Sequence, residues 1–93
     1  MLKIIYTQRF KDDLIDIKNY ISIDNVLYAI KTINSIKTTI EILKIFPKMW
    51  KISDSIYRII IESKYKYKIF YRIENDSIFI VSVSKYRDLE FIN

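Results

Sequence analysis

The sequence predicts an α+β fold with elements in the order β-α-α-β-β-β, a helical hairpin packed on a small antiparallel sheet. Three observations carry that prediction. Two stretches in the first half repeat apolar residues at helical spacing, and three runs in the second half are β-branched and aromatic. The only proline, Pro47, stands between the two regimes. Ninety-three residues suffice for one domain, 1–93. A chain this short buries only about two-thirds of its unfolded surface, so its core must be apolar and continuous. A hydrophobic content of 51% meets that need.

Leu2 to Tyr6 is a short β-leaning run and the first expected strand, joining an edge of the sheet. Thr7 is placed to cap a helix, because its hydroxyl can accept from an orphan amide of the first turn. Over 8–22, Phe10, Leu14, Ile17 and Ile21 recur at steps of four, three and four. They form one helical stripe that leaves Asp12, Asp13, Asp16 and Lys18 for water. Ser22 to Asn25 reads as a break and a fresh N-cap. A second stripe, Val26, Ala29, Ile33, Ile36, Ile40 and Leu43, widened by Leu27 and Ile30, predicts a helix over 24–45. Pro47 disfavours helical geometry in Phe46 and should end it. The short connection makes the two helices antiparallel neighbours.

Strands are expected over Ile56–Glu62, Lys64–Ile73 and Ser77–Val83, with a polar tail from Ser84 to Asn93. The chain has no glycine, so Asn75 and Asp76 are the residues best able to supply a positive φ at the last turn. Met49 and Trp50 should plug the open end of the hairpin.

Composition excludes several chemistries. Without cysteine there is no disulfide frame or thiolate, and without histidine the commonest general base and zinc ligand are gone. No cofactor or metal is expected; Asp12, Asp13 and Asp16 read better as acids near a helix N-terminus than as ligands. No apolar run approaches the roughly 18 residues of a membrane span. The apolar start is too short for a signal peptide, so a cytoplasmic protein is expected, with no membrane partner. The net charge of +5 is modest evidence for an anionic partner, since twelve of sixteen basic residues are Lys in a composition also rich in Ile, Asn and Tyr.

The placement of the cations says more. Along Lys64–Ile73, Tyr65, Tyr67, Ile69, Tyr71 and Ile73 alternate with Lys64, Lys66, Lys68, Phe70 and Arg72. One face suits packing against helices; the other is a row of cations with an aromatic among them. Such a face can hold phosphates or an acidic peptide, or can simply stay solvated as an edge guard. Lys85-Tyr86-Arg87-Asp88, directly after the last strand, is a second candidate; its alternative is an exposed terminal ion pair worth at most about 1 kcal/mol.

Taken together, these pieces resemble the RelE/ParE toxins of type II toxin–antitoxin systems. Ile4-Ile5-Tyr6-Thr7-Gln8-Arg9-Phe10 with Asp13-Leu14 and Tyr20-Ile21 is similar to the family's opening strand and helix. Leu43 with Phe46-Pro47 resembles its helix exit. Tyr57-Arg58 and Tyr67-Lys68-Ile69-Phe70-Tyr71-Arg72 resemble its central strands, and Val81-Ser82-Val83 with Lys85-Tyr86-Arg87-Asp88 its basic end. The resemblance is closer to ParE members, which poison DNA gyrase. The RelE branch cleaves mRNA on the ribosome and carries an arginine where this chain has Lys68. It also carries a catalytic tyrosine or histidine near the end, where this chain has Phe91 and Ile92.

The resemblance therefore implies a growth-inhibiting toxin with a cognate antitoxin whose acidic, partly disordered segment wraps it. Arg58, Lys64, Lys66, Lys68, Phe70, Arg72 and Arg87 are the expected contacts to antitoxin or gyrase. A RelE-like ribonuclease would instead use Lys66, Lys68, Lys85, Tyr86 and Arg87 for phosphate stabilisation and proton transfer. A basic nucleic-acid-binding or inactive scaffold domain is the third reading.

Overall fold

A computed structural model of the chain describes residues 2–48 and 57–85. The expectations for Met49, Trp50, Tyr86, Arg87 and Asp88 lie outside the described residues. Elements run in the expected order. Strand β1 (Lys3–Tyr6) leads into helix α1 (Gln8–Ser22), and helix α2 (Val26–Glu41) continues as a 3-10 turn, Ile42–Lys44. Strands β2 (Arg58–Glu62), β3 (Tyr67–Glu74) and β4 (Ser77–Lys85) complete the sheet.

Both helices start where a side chain satisfies an orphan amide. The Thr7 hydroxyl accepts from the Phe10 amide at 3.2 Å, and Asn25 Oδ1 accepts from the Tyr28 amide at 2.9 Å. The hairpin between them closes through Ile21, whose carbonyl accepts from the Asp24 and Asn25 amides. Helix α2 ends at Glu41, and a tighter 3-10 turn rather than α-helix carries the chain to Lys44. That turn buries Leu43, extending the core by one residue before Pro47.

The sheet order is β1-β4-β3-β2. The three C-terminal strands form the expected antiparallel meander, but β1 runs parallel to β4, pairing Lys3–Tyr6 with Ser77–Ile80, so the sheet is mixed. Alternate strand residues Ile60, Ile69, Tyr71, Ile78 and Ile80 are buried against Phe10, Ile36, Ile40 and Leu43, so both helices cover one face. Each such side chain contributes about 1.5–3 kcal/mol. Of the other residues expected in this core, Ile17 packs against the cluster part-buried and Ile33 is half-buried.

The second stripe needs correction at its start. Val26, Leu27 and Ile30 are exposed, and Thr32 is buried in their stead. Its hydroxyl donates to the Tyr28 carbonyl one turn back at 2.8 Å, which satisfies the only polar group its side chain brings into the core.

The link between β2 and β3 is also wider than the sequence suggests. Residues 63–66 form the turn, so Lys64 and Lys66 lie outside the strand. Lys66 takes a positive φ of 67° without being glycine. The turn is organised by Glu62, which is 1% exposed. Its carboxylate accepts from the Tyr65 amide at 2.9 Å, the Lys64 amide at 3.1 Å and the Ser35 hydroxyl at 2.6 Å. Asn75, with φ of 56°, supplies the positive φ at the β3–β4 turn as expected.

A candidate binding surface on the open sheet face

The helices leave the other face of the sheet uncovered among the described residues. Lys68, Phe70 and Arg72 stand on it along β3, half-buried between Ile59 and Ile61 of β2 and Phe79 of β4, which the register sets beside them. The result is an apolar floor with cations set into it. Lys68 Nζ lies 5.8 Å from the Phe70 ring centroid, and the Arg72 guanidinium lies 4.4 Å from that of Phe79. Arg72 also reaches Glu74 at 3.8 Å, an exposed pair that leaves its stacking on Phe79 intact.

The floor deepens into a cleft where β4 is irregular. Phe70 pairs with Ser82 while Tyr71 pairs with Ile80, so Val81 is the extra residue of a bulge. A bulge bends its strand and re-aims the side chains beside it. Thr7 fastens this bulge to the start of α1, donating its hydroxyl to the Ile80 carbonyl at 2.8 Å and lying 3.1 Å from that of Val81. Strand β1 stops pairing at Ile80, leaving the next stretch of the β4 edge without a strand partner. Helix α1 takes over there, and Asp13 Oδ2 accepts from the Val83 amide at 3.2 Å. One turn earlier on the same helix, Arg9 lines a cleft of about 370 Å³ together with Asp13, Tyr57, Phe70, Val81 and Ser82.

Sequence reasoning misses Arg9 and Asp13 as site residues. Their signal is present in the spacing of four, which sets both on one side of α1. What the sequence does not show is where β1 pairs along β4, which decides how much of the β4 edge the helix must complete. Asp13 is therefore an edge cap for the sheet. Among the described residues no group of three or more metal-ligating side chains is gathered.

The remaining candidates are dispersed. Arg58 projects to the helix side, opposite Tyr71, and donates to the Lys48 carbonyl at 3.2 Å. Lys64 and Lys66 sit on the 63–66 turn. Lys85 pairs with Tyr67, donates to the Tyr65 carbonyl at 2.6 Å and lies 4.8 Å from the Tyr67 ring, again on the helix side. Lys68 thus stands on the open face and Lys85 on the helix side, while Lys66 belongs to the turn whose Tyr65 carbonyl Lys85 holds. The phenols that depart from their ordinary range are also on the helix side. Burial pushes Tyr71 up to about 12, with Arg58 partly opposing it. Burial likewise raises Tyr67, with Tyr28 and Glu62 adding to it. These groups are set to stay protonated, not to trade protons near neutrality.

A helical hairpin on one face of a four-stranded mixed sheet is the architecture of the toxins of type II toxin–antitoxin modules, in the RelE/ParE class. The sequence model of the family described as the ParE toxin of type II toxin–antitoxin system, parDE, matches residues 4–89, and the chain belongs to that family. Eight chains of solved structures match significantly. One, described as the chromosomal ParDE TA system from P. aeruginosa, superposes with a TM-score of 0.81. It covers 94% of this chain and 98% of its own at 15% sequence identity, a likeness of fold. No curated protein matches significantly. The protein is thus the toxin of a type II module, and a cognate antitoxin is its partner. No helix among the described residues is long and apolar enough to cross a membrane.

Proposed function

We propose that this toxin acts by binding DNA gyrase through the open sheet face, as a poison without hydrolytic chemistry of its own. The observation that carries the reading is the contrast in placement. Lys68, Phe70 and Arg72 share one face and adjoin the cleft of Arg9 and Tyr57. Of the lysines that an RNA-cleaving site would bring around one phosphate, Lys68 stands on the open face and Lys85 is held on the helix side. Stabilising a developing charge requires donors converging within about 3 Å of one oxygen. Gyrase is a cytosolic target, which would place the toxin in the cytoplasm.

The antitoxin is proposed to cover the same face with an acidic, partly disordered segment that orders on binding. An apolar floor bounded by Arg9, Lys68 and Arg72 suits such a segment, with apolar residues giving affinity and charge steering the encounter.

The deciding experiment adds purified toxin to gyrase and measures supercoiling and trapped cleavage complexes, with mRNA cleavage on ribosomes run in parallel. Gyrase inhibition that fails with Lys68→Ala and Phe70→Ala is the expected result. Codon-dependent mRNA cleavage with gyrase untouched would install the ribonuclease reading. For the antitoxin, association should slow as salt rises, and Phe70→Ala should mainly quicken dissociation. Salt-indifferent association with wild-type binding of Phe70→Ala would move the antitoxin elsewhere.

A further inference from the structure

The cleft beside Phe70 has two walls, and side chains rather than strand pairing join them. One wall is the start of α1, with Arg9 and Asp13; the other is the bulged stretch of β4, with Val81 and Ser82. Pairing between β1 and β4 ends at Tyr6 and Ile80. From there on, among the described residues, two side chains of the 7–13 stretch bond to β4. Thr7 stands at the Ile80 and Val81 carbonyls, and Asp13 at the Val83 amide. The Thr7 hydroxyl carries two opposite tasks at once. It accepts from the Phe10 amide at 3.2 Å, which caps α1, and donates to the Ile80 carbonyl at 2.8 Å, with the Val81 carbonyl 3.1 Å away. The Ile80 carbonyl has a second donor in the Thr7 amide at 3.2 Å. The Val81 carbonyl belongs to the extra residue of the bulge, which a strand ladder leaves out. A hydroxyl can accept and donate through one atom, whereas a carboxylate caps a helix as well but has no proton to give.

We infer that Thr7 is the positioning residue of the cleft: its hydroxyl locks the start of α1 to the bulge of β4 and so sets Arg9 beside the open face. Arg9 is the second residue of α1, so the turn that Thr7 caps also fixes its backbone. The two carbonyls at the hydroxyl are those on either side of Val81, the residue that makes the bulge. One side chain therefore ties the residue that opens the cleft to the helix that supplies its cation. Asp13 holds the far end of the same wall, but it bonds to Val83, beyond the bulge. The role rests on the open face being the target surface, as proposed above; the lock between the walls does not.

The experiment compares Thr7→Ser and Thr7→Asp in the full chain, by carbonyl and amide NMR and by gyrase inhibition, each with and without Arg9→Ala. Thr7→Ser keeps both bonds and should match wild type in every readout. Thr7→Asp keeps the cap and loses the donor. Its Phe10 amide should stay protected from exchange, its Val81 carbonyl signal should move, and inhibition should weaken by roughly tenfold. Added to Arg9→Ala, the same substitution should cost little more, because the group it positions is gone. A loss that came only from a damaged fold would add in full. Should Thr7→Asp fail to fold, Thr7→Val, of similar shape and without charge, enters the same cycle with the same outcomes. Inhibition by Thr7→Asp equal to wild type overturns the inference and leaves Thr7 a helix cap, as does a loss fully additive with Arg9→Ala. Wild-type inhibition by Arg9→Ala where Phe70→Ala fails overturns it too. If Arg9→Ala and Phe70→Ala both inhibit as wild type, the open face is not the target surface. The Val81 carbonyl then decides the lock alone: a moved signal upholds it and an unmoved one overturns it.

Discussion

The two faces of strand β3 are made by alternate residues of one eight-residue stretch, yet they obey different rules. Tyr67, Ile69 and Tyr71 are buried beneath the helices, and every polar atom they bring must be accounted for. The Tyr71 hydroxyl donates to the Pro47 carbonyl at 2.9 Å, and so ties the sheet to the exit of the helical hairpin. Lys68, Phe70 and Arg72, one residue out of phase, are only half-buried and stack on one another's neighbours instead of on a helix. The buried face therefore fixes the shape in which the open face is presented. Damage to the first should unfold the toxin; damage to the second should disarm it.

The largest expected effect tests that division directly. Ile69→Ala removes a fully buried side chain and should cost about 2–5 kcal/mol. Phe70→Ala, its immediate neighbour, should cost far less stability and yet abolish gyrase inhibition. Denaturant melts paired with a supercoiling assay would check both. Comparable loss of stability from the two substitutions would erase the distinction between the faces.

The next effect concerns Glu62, where the buried face meets the 63–66 turn. Glu62→Ala leaves the buried Tyr65 amide without its acceptor and strips the Ser35 hydroxyl of its partner. A loss of about 1–3 kcal/mol is expected, since unsatisfied buried donors keep their full desolvation penalty. Glu62→Gln retains one acceptor oxygen and should lose less. Urea midpoints of the two variants should rank in that order, with toxicity tracking stability only.

Much of the fold is legible in the sequence, and the reasons are local. Thr7 and Asn25 announce their helices because capping needs a side-chain oxygen at one position. Asn75 announces its turn because a glycine-free chain has few residues that accept a positive φ. The failures are where local pattern is indifferent. The alternation of Lys and Tyr from Lys64 to Lys68 runs through a turn without a break in period, so the strand reads three residues too long at its start. Only the buried Glu62, a long-range fact, shows where the turn lies. Val26, Leu27 and Ile30 read as core because apolar residues crowd both sides of α2. The parallel pairing of β1 depends on a partner more than seventy residues away. At the candidate site, the alternation on β3 exposes Lys68, Phe70 and Arg72 to sequence reasoning, whereas Arg9 enters only through the bulge and the register of β1 on β4.

A smaller effect should appear at high pH. Tyr71 is raised from the ordinary phenol value of 10.0 to about 12, mainly by burial. Because the folded-state pKa is the higher one, its contribution is intact below pH 10 and is lost as pH climbs toward 12. Stability should decline through that window, and Tyr71→Phe should flatten the decline while costing about 1 kcal/mol at neutral pH through the lost bond to Pro47. Unfolding monitored from about pH 9 to about pH 12 would decide. An identical decline in Tyr71→Phe would assign the loss to other groups, with Tyr6 and Tyr67, also raised by burial, the first to examine.

The smallest effect sharpens the comparison most, because it separates two lysines that sequence alone places on one row. Lys66 occupies the left-handed region with φ of 67°, a conformation costing a non-glycine residue roughly 1–2 kcal/mol. Lys66→Gly relieves that strain but adds freedom to the unfolded chain, worth about 0.5–1 kcal/mol. The net change should be a gain of no more than about 1 kcal/mol. Lys66 lies on the turn and not on the open face, so the variant should inhibit gyrase as wild type does. Lys68→Ala, two residues on, should leave the melting temperature nearly unchanged and weaken inhibition. Matched melting curves and inhibition titrations of the two variants provide the measurement. If Lys66→Gly disarms the toxin as fully as Lys68→Ala, the working surface extends around the turn, and the open face of β3 no longer accounts for target binding by itself.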